Sequence, residues 1–483
     1  MFRTRLPLTA SLISAIFLSA LAPLSTTFAH AAAPEFSNCL LTASTNQLVS
    51  LGSPMASERL SHKTNIRIGV LPIYFNNSEV KVLSEYEKKD YLSAASVIRQ
   101  FSNNLVSVQI VFLESFKIDK PMAALKQAFS ERNQAWSDQS TDKGTWGFVR
   151  QVVQAADSTR NFSNLDGIIL ESNNSDRSFS IAEAMGFYRG QEGNVYRYAT
   201  ADFFKSITTQ DGILDNAILL DFHQGVNTIA HELMHNFGLT DLYGSGAGPA
   251  DLSIMAVGSL NILNYEKAVL GWFPVANFKC KNLQDVLNAN TVENVVELTN
   301  IKENSIFLLK KSDDVAYIVE VVNFEGKSQL IVYLLEQDRR PPITASYGSG
   351  LNYPNFYDIR DPKFIGSKYR TEDFDLLITN KTNDAVTLNL IPIKLANSAE
   401  SKSILEKSIL NRELANAKAK AAAEADAKAR AEAEADAKAK AEAEANAKAK
   451  TEPKKSTITC IKRKITKKVT GLNPKCPAGF KKK

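Results

Sequence analysis

The residues best equipped for chemistry stand close together: His231, Glu232, His235, Gly238 and Asp241, in the pattern H-E-x-x-H-x-x-G-x-x-D. On a helix, His231 and His235 fall one turn apart on one face, so both imidazoles can reach a single ion. Gly238 supplies the left-handed conformation that ends a helix, letting the chain turn back until Asp241 approaches the same ion as third ligand. Three protein ligands leave a fourth position for water. Zinc lowers the pKa of such a water toward ~7, and Glu232, next to the first ligand, is placed to accept its proton and pass it to a leaving amine. The expected chemistry is metal-assisted hydrolysis, with zinc on His231, His235 and Asp241 and with Glu232 as general base. The chain has only five histidines, so the pattern is rarely met by chance. One alternative keeps the two histidines and takes the third ligand from Glu266, on a later helix; Gly238 and Asp241 would then be idle.

The elements around the motif must carry it. At about 100° per residue, Val226, Ile229, Ala230, Leu233 and Phe237 gather on one stripe, with the two histidines nearly opposite. Such a helix buries one side and presents ligands on the other. Upstream, NIRIGVLPIYF from Asn65 reads as a strand, YLSAASVIRQFSNNLVSVQIVFLESF as helix, turn and strand, and WGFVRQVVQAADS as a helix. NLDGIILES and ILDNAILLDF read as buried strands, the second ending just before the histidine-bearing helix. This is α/β (α+β) grammar. Between Val292 and Ile393 it changes to short apolar runs parted by Gly, Asp, Asn and Pro clusters, which imply a β-sandwich-like second domain.

Arg3 and Arg5, the apolar run from Leu6 to Leu24 and the small-residue site Ala29-His30-Ala31 read as a secretory signal peptide, with no retained membrane anchor expected. The organisation expected is a signal peptide at 1–31, a leader at 32–65, a catalytic domain at 66–285 and a β-rich domain at 286–396. An Ala/Lys/Glu-rich helical spacer at 397–452, capped by Asn397 with Glu400, and a basic tail at 453–483 complete it. The chain carries +5 overall, yet residues 454–483 hold eleven Lys or Arg and no acid, so the remainder sums to −6, which is +5 less 11. The tail suits an anionic cell-wall polymer without specific nucleic-acid recognition, or is a solubilising extension. In an oxidising compartment four cysteines suggest two disulfides. Cys460 with Cys476 is the local pair, and for Cys39 two readings stand: a bond to Cys280, or a thiolate that caps the zinc in a latent precursor.

The stretch HELMHNFGLTDLY resembles the H-E-x-x-H-x-x-G-L-x-D-L-Y signature of the immune inhibitor A family of secreted bacterial metallopeptidases, which are metzincin-like. DLSIMAVGS is similar to that family's Met-turn, LNYEKAVLGWFPV to its helix ending in Leu-Gly-Trp, and VAYIVEVVNF to the first strands of its following β domain. The resemblance spans about residues 66 to 340 and is specific around 229 to 275. It implies a metzincin-like peptidase domain, His231, His235 and Asp241 as ligands, Glu232 as base, and Met255 packing beneath the metal. Some metzincins carry an oxyanion-stabilising tyrosine where this chain has Val257; Tyr243 and Tyr265 are the substitutes to consider, each with plain packing as the simpler role. His223 reads as an ordinary satisfied histidine or as a hydrogen-bond partner behind the metal. A structural calcium ion is compatible with an extracellular metallopeptidase, although no twelve-residue calcium loop is visible. The leading expectation is a monomeric secreted zinc endopeptidase cleaving extended polypeptide. Beside it stand a surface binding protein with an inactive zinc fold and a zinc amidase acting on wall peptides.

Overall fold

The structure, a computed structural model, describes residues 38–43, 49–138, 143–174, 179–186, 206–242, 252–256, 260–289, 291–292, 294–299, 305–324, 327–337, 343–344, 355–358, 365–382, 384–451 and 454–483. Over these it is mixed α/β, built from several sheets and helices. No described helix is long and apolar enough to cross a membrane. The stretch 1–31, expected as a signal peptide, lies outside the described residues.

Residue pattern dictates the first sheet. Strands β1 (Asn65–Phe75), β2 (Ser107–Phe112), β3 (Gly167–Glu171), β4 (Ala182–Gly186) and β5 (Asn216–Leu220) lie in the order β2-β1-β3-β5-β4. β1, β3 and β5 are near-continuous apolar runs because both faces are covered. Ile169, Ile218 and Leu220 join one core with Tyr91 and Ile98 of helix α1 (Glu85–Phe101) and with Ile229, Leu233 and Phe237 of the histidine helix. Ile168, Leu170, Ala217 and Leu219 join another, with Leu125 of α2 (Ala123–Asp138) and Val149, Val152 and Val153 of α3 (Gly144–Ala156). The result is a three-layer arrangement in which the sheet's alternation decides which helix each side chain meets. β1, β2, β3 and β5 run parallel, and β4 closes the edge antiparallel to β5. A capping box starts α1, Ser84 accepting from the Glu87 N–H while the Glu87 carboxylate accepts from the Ser84 N–H.

The histidine helix is α4 (Gly225–Phe237), fed directly by β5. Helix α5 (Asn264–Val269) and strands β6 (Phe278–Asn282), β7 (Ser305–Lys310), β8 (Val315–Phe324) and β9 (Lys327–Glu336) follow, the strands pairing in sequence order as a second sheet. Their Ile306, Leu308, Ile318, Ile331 and Tyr333 share one core with α4 and α5. The segment expected as a leader is woven into that core through Leu40, Leu41, Leu51, Met55 and Leu60. Main-chain bonds hold it: Ser50 N–H donates to Gly238 O at 2.8 Å and Thr42 N–H to Asp313 O at 2.7 Å. Cys39 is bonded to Cys280 and no cysteine is free, so the thiolate-cap reading of Cys39 is set aside.

Among the described residues, those within 1–285, 302–326 and 330–356 form one compact unit, and those within 286–301, 327–329 and 357–483 form another. The strands expected to make one β-sandwich at 286–396 are divided, because β7 and β8 bury their apolar faces on α5 and the first core. The second unit has its own antiparallel sheet, in the order Val295–Thr299, Ala385–Pro392, Phe374–Lys381, Lys368–Arg370. Against it pack Ile404 and Leu405 of the helix Ala399–Thr451, with Val292, Leu377 and Ile391. That helix is capped by Ser398, whose hydroxyl accepts from the Ser401 N–H at 3.0 Å, rather than by Asn397. Residues 416–444 are exposed throughout, as an Ala/Lys/Glu helix without an apolar stripe must be. The tail forms a three-stranded sheet closed by the disulfide Cys460–Cys476 around a buried Cys460.

Candidate metal centre

Helix α4 buries Ile229, Ala230, Leu233 and Phe237 and leaves His231 and His235 on its other side, their side chains 12% and 15% exposed. The two Nε2 atoms are 3.1 Å apart. His231 Nδ1 lies 2.7 Å from the carbonyl of Ile254, and His235 Nδ1 lies 2.8 Å from that of Leu239. A carbonyl oxygen only accepts, so each Nδ1 carries the hydrogen and each neutral ring presents a bare lone pair at Nε2.

Gly238 ends the helix with φ of 111°. Its N–H donates to His235 O and the Leu239 N–H to Met234 O, a Schellman closure. With φ in the left-handed region the turn needs glycine for conformation, and a Cβ there would also press to 2.8 Å from Met55 Sδ, to which that flexible side chain would have to yield. Three residues on, Asp241 returns, its Oδ1 3.2 Å from both Nε2 atoms. Two imidazole lone pairs and a carboxylate oxygen thus converge within 4.8 Å of one another. Such a set repels itself unless a cation or proton lies among its members, and two nitrogens with one oxygen suit a borderline-soft divalent metal. The donor chemistry fits a metal, with Asp241, 41% exposed, on the open side. Without a cation the trio retains a proton. Burial opposes charge on His235, but the hydrogen bond and charge of Asp241 outweigh it and push its pKa up to about 9. The histidine contacts in turn outweigh burial at Asp241 and hold its carboxyl well below the usual range.

Glu232 points away from solvent, 5% exposed, with one oxygen accepting from the Ala184 N–H of the edge strand β4 at 2.8 Å. Burial raises its pKa, partly offset by the two histidines. The carboxylate is thereby made a better base than an exposed one, while the N–H keeps it aimed.

Glu266, the alternative third ligand, is not in the converging set. It is fully buried, accepting from Ser253 Oγ and the Leu263 N–H. Tyr265 is 1% exposed and its hydroxyl accepts from the Leu41 N–H, so it is packed in the core. Tyr243 and Val257 lie outside the described residues. Met255 is fully buried in the core shared with α4.

His223 belongs to a separate cluster that the sequence reading did not identify. Its Nε2 lies 2.9 Å from Asp90 and its Nδ1 3.3 Å from Glu171. The Lys81 ammonium bridges Glu171 and Glu87 at 2.6 Å each, and Tyr91 donates to Glu171. Glu87, Glu171 and His223 also lie close enough to hold an ion, but the lysine already supplies the cation there. A Glu ending the apolar strand IIL was the one available signal, since the other members come from two distant segments, residues 81–91 and His223.

Buried carboxyls give a test of the packing. Burial, the largest cause, pushes Glu266 up to about 8 and Glu320 up to about 7. These groups hold protons in the fold that the unfolded chain has lost above its ordinary carboxyl range, so folded stability declines as pH rises from about 4.5 toward 8. In chelator, the thermal midpoint is expected to fall across that window, and Glu320→Gln to flatten the slope. A midpoint that climbs with pH, or an unaltered slope in the variant, contradicts this.

No protein-family model matches the chain, and no curated protein matches it significantly.

Proposed function

We propose that this chain is a secreted zinc endopeptidase with a metzincin-like catalytic unit, in which His231, His235 and Asp241 hold the metal and Glu232 is the general base. The observation that carries this reading is the convergence of the two Nε2 atoms and Asp241 Oδ1 within 4.8 Å of one another, beside a buried, aimed carboxylate. When bound, zinc would acidify a water and polarise the scissile carbonyl. Glu232 takes the proton of the attacking water and delivers it to the leaving amine, its raised pKa bringing it nearer neutral pH for both transfers. The Nδ1 hydrogen bonds fix the ring tautomers and orient both imidazoles. β4, an antiparallel edge of the described sheet, offers an extended polypeptide a strand to lie along.

The Arg3/Arg5 leader, the two disulfides and the resemblance to secreted metallopeptidases support export. A fluorogenic-peptide or casein assay on chain lacking 1–31, with and without 1,10-phenanthroline, tests the activity. Chelator-sensitive cleavage is expected. Bound zinc without cleavage of any peptide favours the binding-protein reading, and release of wall peptides without casein cleavage favours the amidase.

Residues 454–483 carry eleven Lys or Arg and no Asp or Glu side chain, and this tail is read as holding the enzyme at an anionic wall polymer. Full chain should sediment with isolated cell walls at low salt and be released as salt screens the charges. Lys467→Glu with Lys468→Glu should weaken retention several-fold; equal retention of the variant contradicts the tail's role.

A further inference from the structure

The loop Ser253–Met255 touches, through its main chain, one candidate ligand and the residue that follows another. The Ile254 carbonyl accepts from His231 Nδ1 at 2.7 Å. The Met255 carbonyl accepts at 2.8 Å from the N–H of Leu242, the residue after Asp241. Whatever fixes this turn therefore fixes the orientation of His231 and the approach of Asp241 together.

The turn is fixed by a side-chain relay that ends in the core. Ser253 Oγ accepts from the Met255 N–H at 3.0 Å and donates to the Glu266 carboxylate, 2.8 and 2.9 Å from its two oxygens. Glu266 also accepts from the Leu263 N–H at 2.8 Å, where α5 begins. The start of α5 is in turn tied to the second sheet, since Glu320 of β8 accepts from the Asn264 N–H at 2.6 Å and from the Tyr333 hydroxyl at 2.6 Å. Ser253, Glu266 and Glu320 are all wholly buried. A buried carboxyl is a costly way to fill space, and an apolar side chain would fill it better. What Glu266 supplies instead is direction, its only described acceptances coming from the turn and the helix start.

We propose that Ser253 and Glu266 are positioning residues for the metal centre, holding the turn whose carbonyls orient His231 and seat the Asp241 segment. This rests on the metal reading given under Proposed function. Partners behind a ligand typically change metal affinity by ~10–100-fold when removed. Ser253→Ala and Glu266→Leu should weaken zinc binding within that range. Glu266→Gln keeps an acceptor for the serine hydroxyl and should recover most of the affinity.

The test measures zinc dissociation constants by chelator competition, and the visible spectrum of the cobalt-substituted protein, on the whole chain after residue 31. Val153→Ala, in the core on the opposite sheet face, is the matched destabilised control. The proposal expects Ser253→Ala to lose affinity and shift the cobalt bands, with Val153→Ala changing neither. Lowered thermal midpoints with unchanged zinc affinity and unchanged cobalt spectra in Ser253→Ala and Glu266→Leu overturn it. If Glu266→Leu does not fold, the small serine truncation decides alone. Failure of the unaltered chain to bind zinc overturns the underlying metal reading, and this proposal with it, and is distinguished by the wild-type titration.

Discussion

Glu232→Gln should lower peptide hydrolysis by ~10²–10⁴-fold, the usual contribution of a general base, while zinc stays near one per chain. The substitution keeps the size of the side chain and leaves an oxygen to accept from the Ala184 N–H, so the local structure has no reason to move. What it removes is the ability to take a proton. The carboxylate is nine-tenths buried or more, and burial raises its pKa against the pull of the two histidines, which brings it toward the range where it both accepts and returns a proton near neutral pH. On the proposed reading, the activity of the unaltered chain should then show an acid limb as Glu232 becomes protonated, and that limb should be absent from the residual rate of the variant. Cleavage at an undiminished rate in Glu232→Gln would remove the mechanism even if the metal assignment stood.

Asp241→Ala has the second large expected effect: loss of zinc, and with it of cleavage. An imidazole ligates a metal as the neutral ring, so of the three candidate ligands Asp241 alone would bring negative charge; its Oδ1 stands 3.2 Å from both imidazole nitrogens, and its removal leaves two uncharged donors for the metal. Asp241→Asn keeps the shape but not the charge and should bind zinc more weakly than the unaltered chain. In the metal-free state the same carboxylate supports the charge on His235, so Asp241→Ala should also let that histidine titrate lower, which NMR of the imidazole would register. Glu266→Ala should cost far less zinc than Asp241→Ala, because Glu266 reaches the centre only through Ser253. The reverse ranking would reinstate Glu266 as a ligand.

The convergence of His231, His235 and Asp241 was legible because its geometry is local. Helical spacing fixes His231 against His235, and one glycine bend accounts for Asp241, so eleven consecutive residues suffice. The strands β1, β3 and β5 were legible for a related reason: burial on both faces leaves an unbroken apolar run. β4 was not, since AEAMG is short and half-exposed at an edge, yet it supplies the N–H that aims Glu232. Nor could sequence show that β7 and β8 join the core of α4, because strand partnership is decided by packing between segments far apart in the chain. The same limit hid the Lys81–Glu171–His223 cluster and the bond of Cys39 to Cys280, each made by residues that only the folded chain brings together. The relay from Ser253 to Glu266 shows the reverse case, a residue first weighed as a ligand whose burial gives it a different part.

The most direct test is crystallographic. Anomalous diffraction at the zinc edge on metal-loaded protein is predicted to show one ion with His231 Nε2, His235 Nε2 and an Asp241 oxygen at ~2.0–2.2 Å. An ion bound elsewhere, or one held by the histidines with Asp241 turned away, would contradict the assignment.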